Sequence, residues 1–189
     1  VSRRFPFAVV IIGAGAGTRF GEPKASAHLP NGATFLEAVA ATARDAQAQD
    51  IVAVLPPNTD APPGVRVVVN ANPKSEQITS TRHGLMALAN TDVVGALLWP
   101  VDHPFVTLES VLAVLDCAQR TDAPIVVPSY EQRRGHPTWF ARATWRELMT
   151  VADGGARAVM ANYAAAIEHV VVRDGGVRRD IDFPSDLHG

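Results

Sequence analysis

Short apolar runs alternate with amphipathic stretches along most of the chain. The run Phe7–Ile12 predicts a buried strand, and it leads straight into the glycine-rich stretch GAGAGTRFGEPKA at 13–25. ATFLEAVAATARDAQAQ follows, with Phe35, Leu36, Val39, Ala40 and Ala43 on one helical face and Thr34 and Glu37 spaced for a capping box. DIVAVLP and VRVVVN are β-branched runs bounded by turn residues and read as strands. ITSTRHGLMALAN reads as a helix, and VVGALLWP as a strand ending before Pro100. A helix is expected from about Leu108 to Gln119, then a strand PIVVPS and a polar segment YEQRRGHPTWF. Two helices around Trp145 and Ala158 and a last strand IEHVVVR precede the tail. This alternation predicts an α/β fold with a mostly parallel sheet and helices on both faces, the polar segment and tail lying over one edge.

Composition narrows the picture. A chain of 189 residues is most simply one domain, 1–189, with enough length for a sizeable core. Hydrophobic residues at 47% and charged residues at 19% are ordinary for a globular protein. A net charge of -2 argues against a general nucleic-acid binder, which needs a basic excess. Cys117 is the only cysteine, so an intrachain disulfide and a four-cysteine zinc site are both excluded. SRRFPFAVVII mimics a twin-arginine leader, but its apolar run is short and is read as strand. No segment approaches a membrane span, and a cytoplasmic setting is expected.

The glycine stretch fits neither familiar phosphate cradle. The dinucleotide fingerprint started at Gly13 meets Thr18 in place of its third glycine, and started at Gly15 it meets Phe20. The P-loop pattern fails because Lys24 follows Pro23 and precedes Ala25. What remains is a loop far longer than the usual two to six residues, at the carboxyl end of a strand, where open α/β sheets bind ligands. Its glycines let backbone N–H groups turn toward an anion. Arg19 can grip phosphate with a planar fork, while Lys24, with Lys74 the only lysine among 17 basic residues, offers a point charge.

A second site is LLWPVDHPFV. In a parallel sheet Asp102 falls on the same edge as the glycine loop, and a carboxylate facing a phosphate cradle implies a cation such as Mg²⁺ between them. The tail RRDIDFPSDL puts Asp180 and Asp182 on one face by period-two spacing, and either could supply a second carboxylate. TSTRHGL places Ser80 and Arg82 at a helix start, and RRGHP gathers Arg133, Arg134 and His136 into a specificity loop or a solvated turn. The six histidines lack zinc-hydrolase spacing, and no nucleophile elbow is present.

These stretches resemble a known family. GAGAGTRFGEPKA is similar to the L-A-A-G-x-G-x-R-F-G-x-P-K signature of the MobA/MocA-like molybdenum cofactor nucleotidyltransferases, within the GT-A-like NTP-transferase superfamily. NPKSEQITSTRHGL, PVDHPFV, RRGHPTWF, GARAVMANY and DIDFPSDL resemble the family's later segments, in the same order. The resemblance implies a Rossmann-like, GT-A-like sheet. It also implies that Ala14, Gly15, Gly17, Arg19 and Lys24 hold a nucleoside triphosphate, with Ser80 and Arg82 flanking it. Asp102 would hold Mg²⁺, Asp182 would be the second metal carboxylate, and the loop around His136 would face the acceptor. Ala14 matches the alanine of CTP users, where guanylyl relatives carry glycine, which leans toward CTP over GTP. Gly13, Val101, His103 and Glu76 depart from the pattern near the expected base and acceptor pocket, leaving base and acceptor open.

The implied activity is nucleotidyl transfer to a phosphorylated acceptor such as molybdopterin, with Arg19, Lys24 and Asp102 as the catalytic residues. A sugar-phosphate or other metabolite acceptor and a non-catalytic NTP-binding role are the alternatives. A glycosyltransferase of similar fold would normally carry a D-x-D run, and VDHP has no second carboxylate. Neither nucleic acid nor membrane is expected as a partner.

Overall fold

The computed structural model describes residues 5–15, 23–72 and 75–188, His188 in its backbone only. Its centre is the first apolar run. Strand β1 (Ala8–Ile12) lies between β2 (Asp50–Leu55) and β4 (Gly95–Pro100), with β3 (Arg66–Val69) outside β2, all four parallel. Ala8, Val9, Val10 and Ile11 have no exposed surface, as a strand covered on both faces requires.

Alternate residues feed two cores. Val9, Ile11, Leu97 and Trp99 pack with helices α1 (Phe35–Asp45) and α3 (Leu108–Thr121). Ala8, Val10, Ala96 and Leu98 pack with α2 (Gln77–Ala87), α4 (Trp145–Thr150) and α5 (Gly155–Asn162) on the other face. Each large side chain buried this way contributes about 1.5–3 kcal/mol. The expected capping box opens α1: Glu37 N–H donates to Thr34 Oγ1 at 3.1 Å, and Thr34 N–H donates to Glu37 Oε2 at 2.7 Å. Helix α2 approaches the sheet so closely that a Cβ on Gly84 would collide with Val10.

The second half of the sheet differs from the expectation. The polar segment does not lie over an edge. It supplies β6 (Arg133–Arg134) and β7 (Thr138–Ala141), and β7 runs antiparallel between β4 and β5 (Ile125–Tyr130), inside an eight-stranded sheet. Four residues are too short a run to announce a central strand. Trp139 and Phe140 nevertheless enter opposite cores. Strand β8 (Ile167–Val171) is parallel to β5 and completes a mostly parallel sheet with helices on both faces.

The tail also departs from the period-two reading. Residues 180–183 form no strand. They follow a 3₁₀ turn at Gly175–Arg178 and precede another at Pro184–His188. A backbone bond from Ile181 N–H to the Asp102 carbonyl, 2.9 Å, lays this segment over the end of β4. Among the described residues no helix is long and apolar enough to cross a membrane.

Candidate active site

Strand register brings the first two sequence candidates together. Ile12 pairs with Pro100 at the carboxyl ends of β1 and β4, and Val101 N–H donates to the Ile12 carbonyl at 3.0 Å. The glycine loop and the Asp102 loop therefore leave the sheet side by side. The tail supplies the third piece, since the Ile181–Asp102 backbone bond sets Asp182 next to Asp102.

Lys24 closes the arrangement. Its Nζ donates to Asp102 Oδ2 at 2.9 Å and to Asp182 Oδ1 at 2.5 Å. The side chains are 17%, 25% and 38% exposed for Lys24, Asp102 and Asp182, and Lys24 and Asp102 line an open cleft with Asp182 beside them. Burial alone would lower the Lys24 pKa, but the hydrogen bonds and charges of Asp182 and Asp102 outweigh it and hold it above the ordinary lysine value. Lys24 is thus a cation at any neutral pH. Asp180 is exposed and makes no such contact, which distinguishes the two tail carboxylates that spacing left equivalent.

A cleft of about 230 Å³ opens above this cluster, lined by Ile12, Ala14, Gly15, Lys24, Ser80 and Asp102 among others. Ser80 is buried, and its Oγ accepts a hydrogen bond of 3.1 Å from Asn70 Nδ2. Asn70 also donates to Ser75 Oγ at 2.7 Å, so one buried amide orders both serines of this wall. Asn70 was not among the sequence candidates. Its only signal there was an asparagine closing a β-branched run.

Arg82 lies elsewhere. Its Nε donates to the Leu148 carbonyl at 3.1 Å and its Nη2 to the Val151 carbonyl, binding α2 to the carboxyl end of α4. It is not among the residues lining the cleft. Gly17 and Arg19 fall outside the described residues.

A second, larger cavity of about 440 Å³ adjoins the first and shares Ile12, Gln77 and Pro100 with it. Its floor is apolar, from Leu98, Val127, Phe140 and Met160. His136 stands on one side, in the turn between β6 and β7, with a cis peptide to Pro137. Its N–H donates to the Val177 carbonyl at 2.7 Å, and a Cβ on Gly135 would strike that same carbonyl, so only glycine lets the turn and the tail meet. The His136 ring lies 4.9 Å from the His103 ring, centroid to centroid. Nδ1 of each ring is buried without a hydrogen-bond partner among the described residues. Burial, and then the His103 ring, push His136 down to about 4. Burial lowers His103 as well, against the charges of Asp102 and Asp180.

Among the described residues no cluster of three or more His, Cys, Asp or Glu could hold a metal. The two carboxylates fit a different kind of site. Their oxygens already converge on a cation, the Lys24 ammonium, and Mg²⁺ needs only one or two carboxylates when substrate phosphates and water complete its shell.

A mostly parallel α/β sheet with a glycine-rich loop, a lysine-bridged carboxylate pair and an adjoining apolar cavity at the carboxyl ends of its strands is the arrangement in which open α/β sheets bind ligands. The comparisons are consistent with this. The MobA-like NTP transferase domain matches residues 9–169, and the chain belongs to that family. The chain is also similar to the structure of Rv0371c from Mycobacterium tuberculosis H37Rv, at 26% identity and TM-score 0.82, covering 97% of this chain and 96% of that one. A structure of Rv0371C in complex with manganese, from the same organism, aligns at 23% identity and TM-score 0.75, with 97% and 96% coverage. The 2-C-methyl-D-erythritol 4-phosphate cytidylyltransferase of Thermus thermophilus aligns at 22% identity and TM-score 0.71, again with 97% and 96% coverage. No curated protein sequence matches the chain significantly.

Proposed function

We propose that this chain is a Mg²⁺-dependent nucleotidyltransferase that moves a nucleoside monophosphate from an NTP, with CTP favoured over GTP, to a phosphorylated acceptor of the molybdopterin kind. The observation that carries this reading is the Lys24 ammonium bridging Asp102 and Asp182 at the floor of a cleft lined by Ala14 and Gly15.

An oxygen of the acceptor phosphate attacks the α-phosphorus of the NTP. The bond from that phosphorus to the β-phosphate oxygen breaks, and pyrophosphate leaves with the electron pair. No proton has to be removed from an acceptor that is already a phosphate dianion. A Mg²⁺ held by Asp102 and Asp182 would offset the negative charge of the phosphate oxygens. Lys24, together with Arg19, neutralises charge building on the departing pyrophosphate. Ala14, Gly15 and Gly17 of the glycine loop hold the triphosphate. Ser80, fixed by Asn70, sits beside the nucleotide. Arg82 serves this site indirectly, by holding α2 and therefore Ser80 in place against α4.

The test is pyrophosphate release. CTP, GTP, ATP and UTP are offered separately with Mg²⁺ and an extract of small phosphorylated metabolites, with Asp102→Asn as control. Release with one NTP, lost in the variant, is the expected result. NTP binding without release under any condition would overturn it in favour of a binding protein.

A further inference from the structure

The second cavity carries a charge pattern that nucleotide binding does not use. Arg134 and Arg157 stand at its exposed rim above the apolar floor, and no carboxylate is among the residues that line it. Two different elements bring them there. Arg134 pairs with Ser129 in the β5–β6 hairpin, whose turn residues Glu131 and Gln132 both have positive φ, 49° and 59°. Arg157 lies in the first turn of α5, close enough for its charge to bear on His136. Among the described residues neither guanidinium has a hydrogen bond or an ion pair. Arg44, Arg133, Arg146, Arg173 and Arg178 are likewise unpaired among the described residues, so what sets this pair apart is the one cavity that both line.

Two unmatched cations facing one largely apolar cavity set up a positive potential there, and an Arg fork is shaped to take a carboxylate or phosphate. The group they would hold is not the attacking phosphate. Attack occurs beside Lys24 and Asp102, which line only the first cleft, whereas Arg134 and Arg157 line only the second. The shared wall of Ile12, Gln77 and Pro100 marks the side on which an acceptor would meet the nucleotide.

Resting on the nucleotidyl-transfer reading, and favouring its alternative of another phosphorylated metabolite over molybdopterin, which has one phosphate and no carboxylate, we propose that the acceptor carries a second anionic group in addition to its reacting phosphate. The phosphate faces the shared wall, an apolar body covers Leu98, Val127, Phe140 and Met160, and Arg134 with Arg157 clasps a carboxylate or second phosphate at the far end. The arginine pair then selects the acceptor and sets its direction in the cavity.

The test uses matched probes on the full chain. Phenyl phosphate, its three carboxyphenyl phosphate isomers and 1,4-phenylene bisphosphate are titrated calorimetrically into the protein with Mg²⁺, and each NTP is titrated separately. At least one doubly anionic probe should bind about tenfold more tightly than phenyl phosphate, as an added charge-assisted contact implies. Whether a carboxylate or the bisphosphate gives the larger gain identifies the second group. In Arg134→Gln/Arg157→Gln the gain should fall to within about twofold, in line with loss of the fork contacts. Arg134→Lys/Arg157→Lys should restore part of it, and NTP affinity should be unchanged throughout. No gain in the natural chain, or a gain that survives the double Gln variant, overturns the proposal. Absence of NTP binding or of pyrophosphate release would instead overturn the nucleotidyl-transfer reading, so the two failures are distinct.

Discussion

Lys24 Nζ lies 2.9 Å from Asp102 Oδ2, and the same ammonium reaches Asp182, so one lysine occupies the position between the two carboxylates. A divalent ion arriving at those oxygens has to displace it. Lys24→Met should therefore bind Mn²⁺ several-fold more tightly than the natural chain when no nucleotide is present, since a half-buried ion pair is worth about 1 kcal/mol. Its pyrophosphate release should fall by orders of magnitude. Electron paramagnetic resonance of free Mn²⁺ in a titration reads the affinity directly. Unchanged or weaker binding would mean that the lysine does not compete.

The tail carboxylates should separate sharply. Asp182→Asn is expected to lower pyrophosphate release by about 10²–10³-fold, the scale of losing one preorganised electrostatic contact. Asp180→Asn, at an exposed position without the Lys24 contact, should stay close to the natural rate. Equal losses in the two variants would place the second carboxylate role on the tail as a whole.

Arg82 provides a different kind of check. Its hydrogen bonds go to two carbonyls at the end of α4, so Arg82→Met should cost about 1–3 kcal/mol in urea unfolding while NTP affinity changes little. A large loss of NTP affinity in a variant of full stability would return Arg82 to the nucleotide.

The pH dependence of stability follows from His136. Its folded pKa, about 4, lies below the ordinary histidine value of 6.5. Between those two pH values the unfolded chain binds a proton that the folded chain refuses, so stability is full above 6.5 and falls as pH drops toward 4. His103, lowered for the same reason of burial, adds to the same slope. Thermal unfolding from pH 4 to 8 should show this fall, and His136→Asn should flatten it. A slope unaltered by the substitution would assign the effect to other groups.

Much of the first half of the fold was legible because its signals are local. A β-branched run, a helical stripe and the Thr34–Glu37 box each declare themselves within a few residues. The position of Asp102 beside the glycine loop followed from parallel strands alone. What sequence could not display were relations set by packing. Strand β7 enters the middle of the sheet through four residues flanked by polar ones. The tail aspartates were separated by one side-chain contact, that of Lys24 with Asp182, which Asp180 does not share. Arg82 sits in a motif that resembles a nucleotide contact, yet its guanidinium reaches the end of a helix more than sixty positions away. Arg134 and Arg157 converge only once the β5–β6 hairpin and α5 are both in place, so no spacing could pair them.

The tail has a kinetic consequence. The contacts of Lys24 with Asp102 and Asp182 span 78 and 158 positions of the chain, so the cleft floor is built almost entirely from long-range closure. Such contacts form late, after nearer segments have been ordered. Recovery of catalytic competence during refolding should then trail the burial of Trp99 and Trp139 in the sheet, and a chain that looks folded by fluorescence would pass through an interval in which it has a core and no working floor.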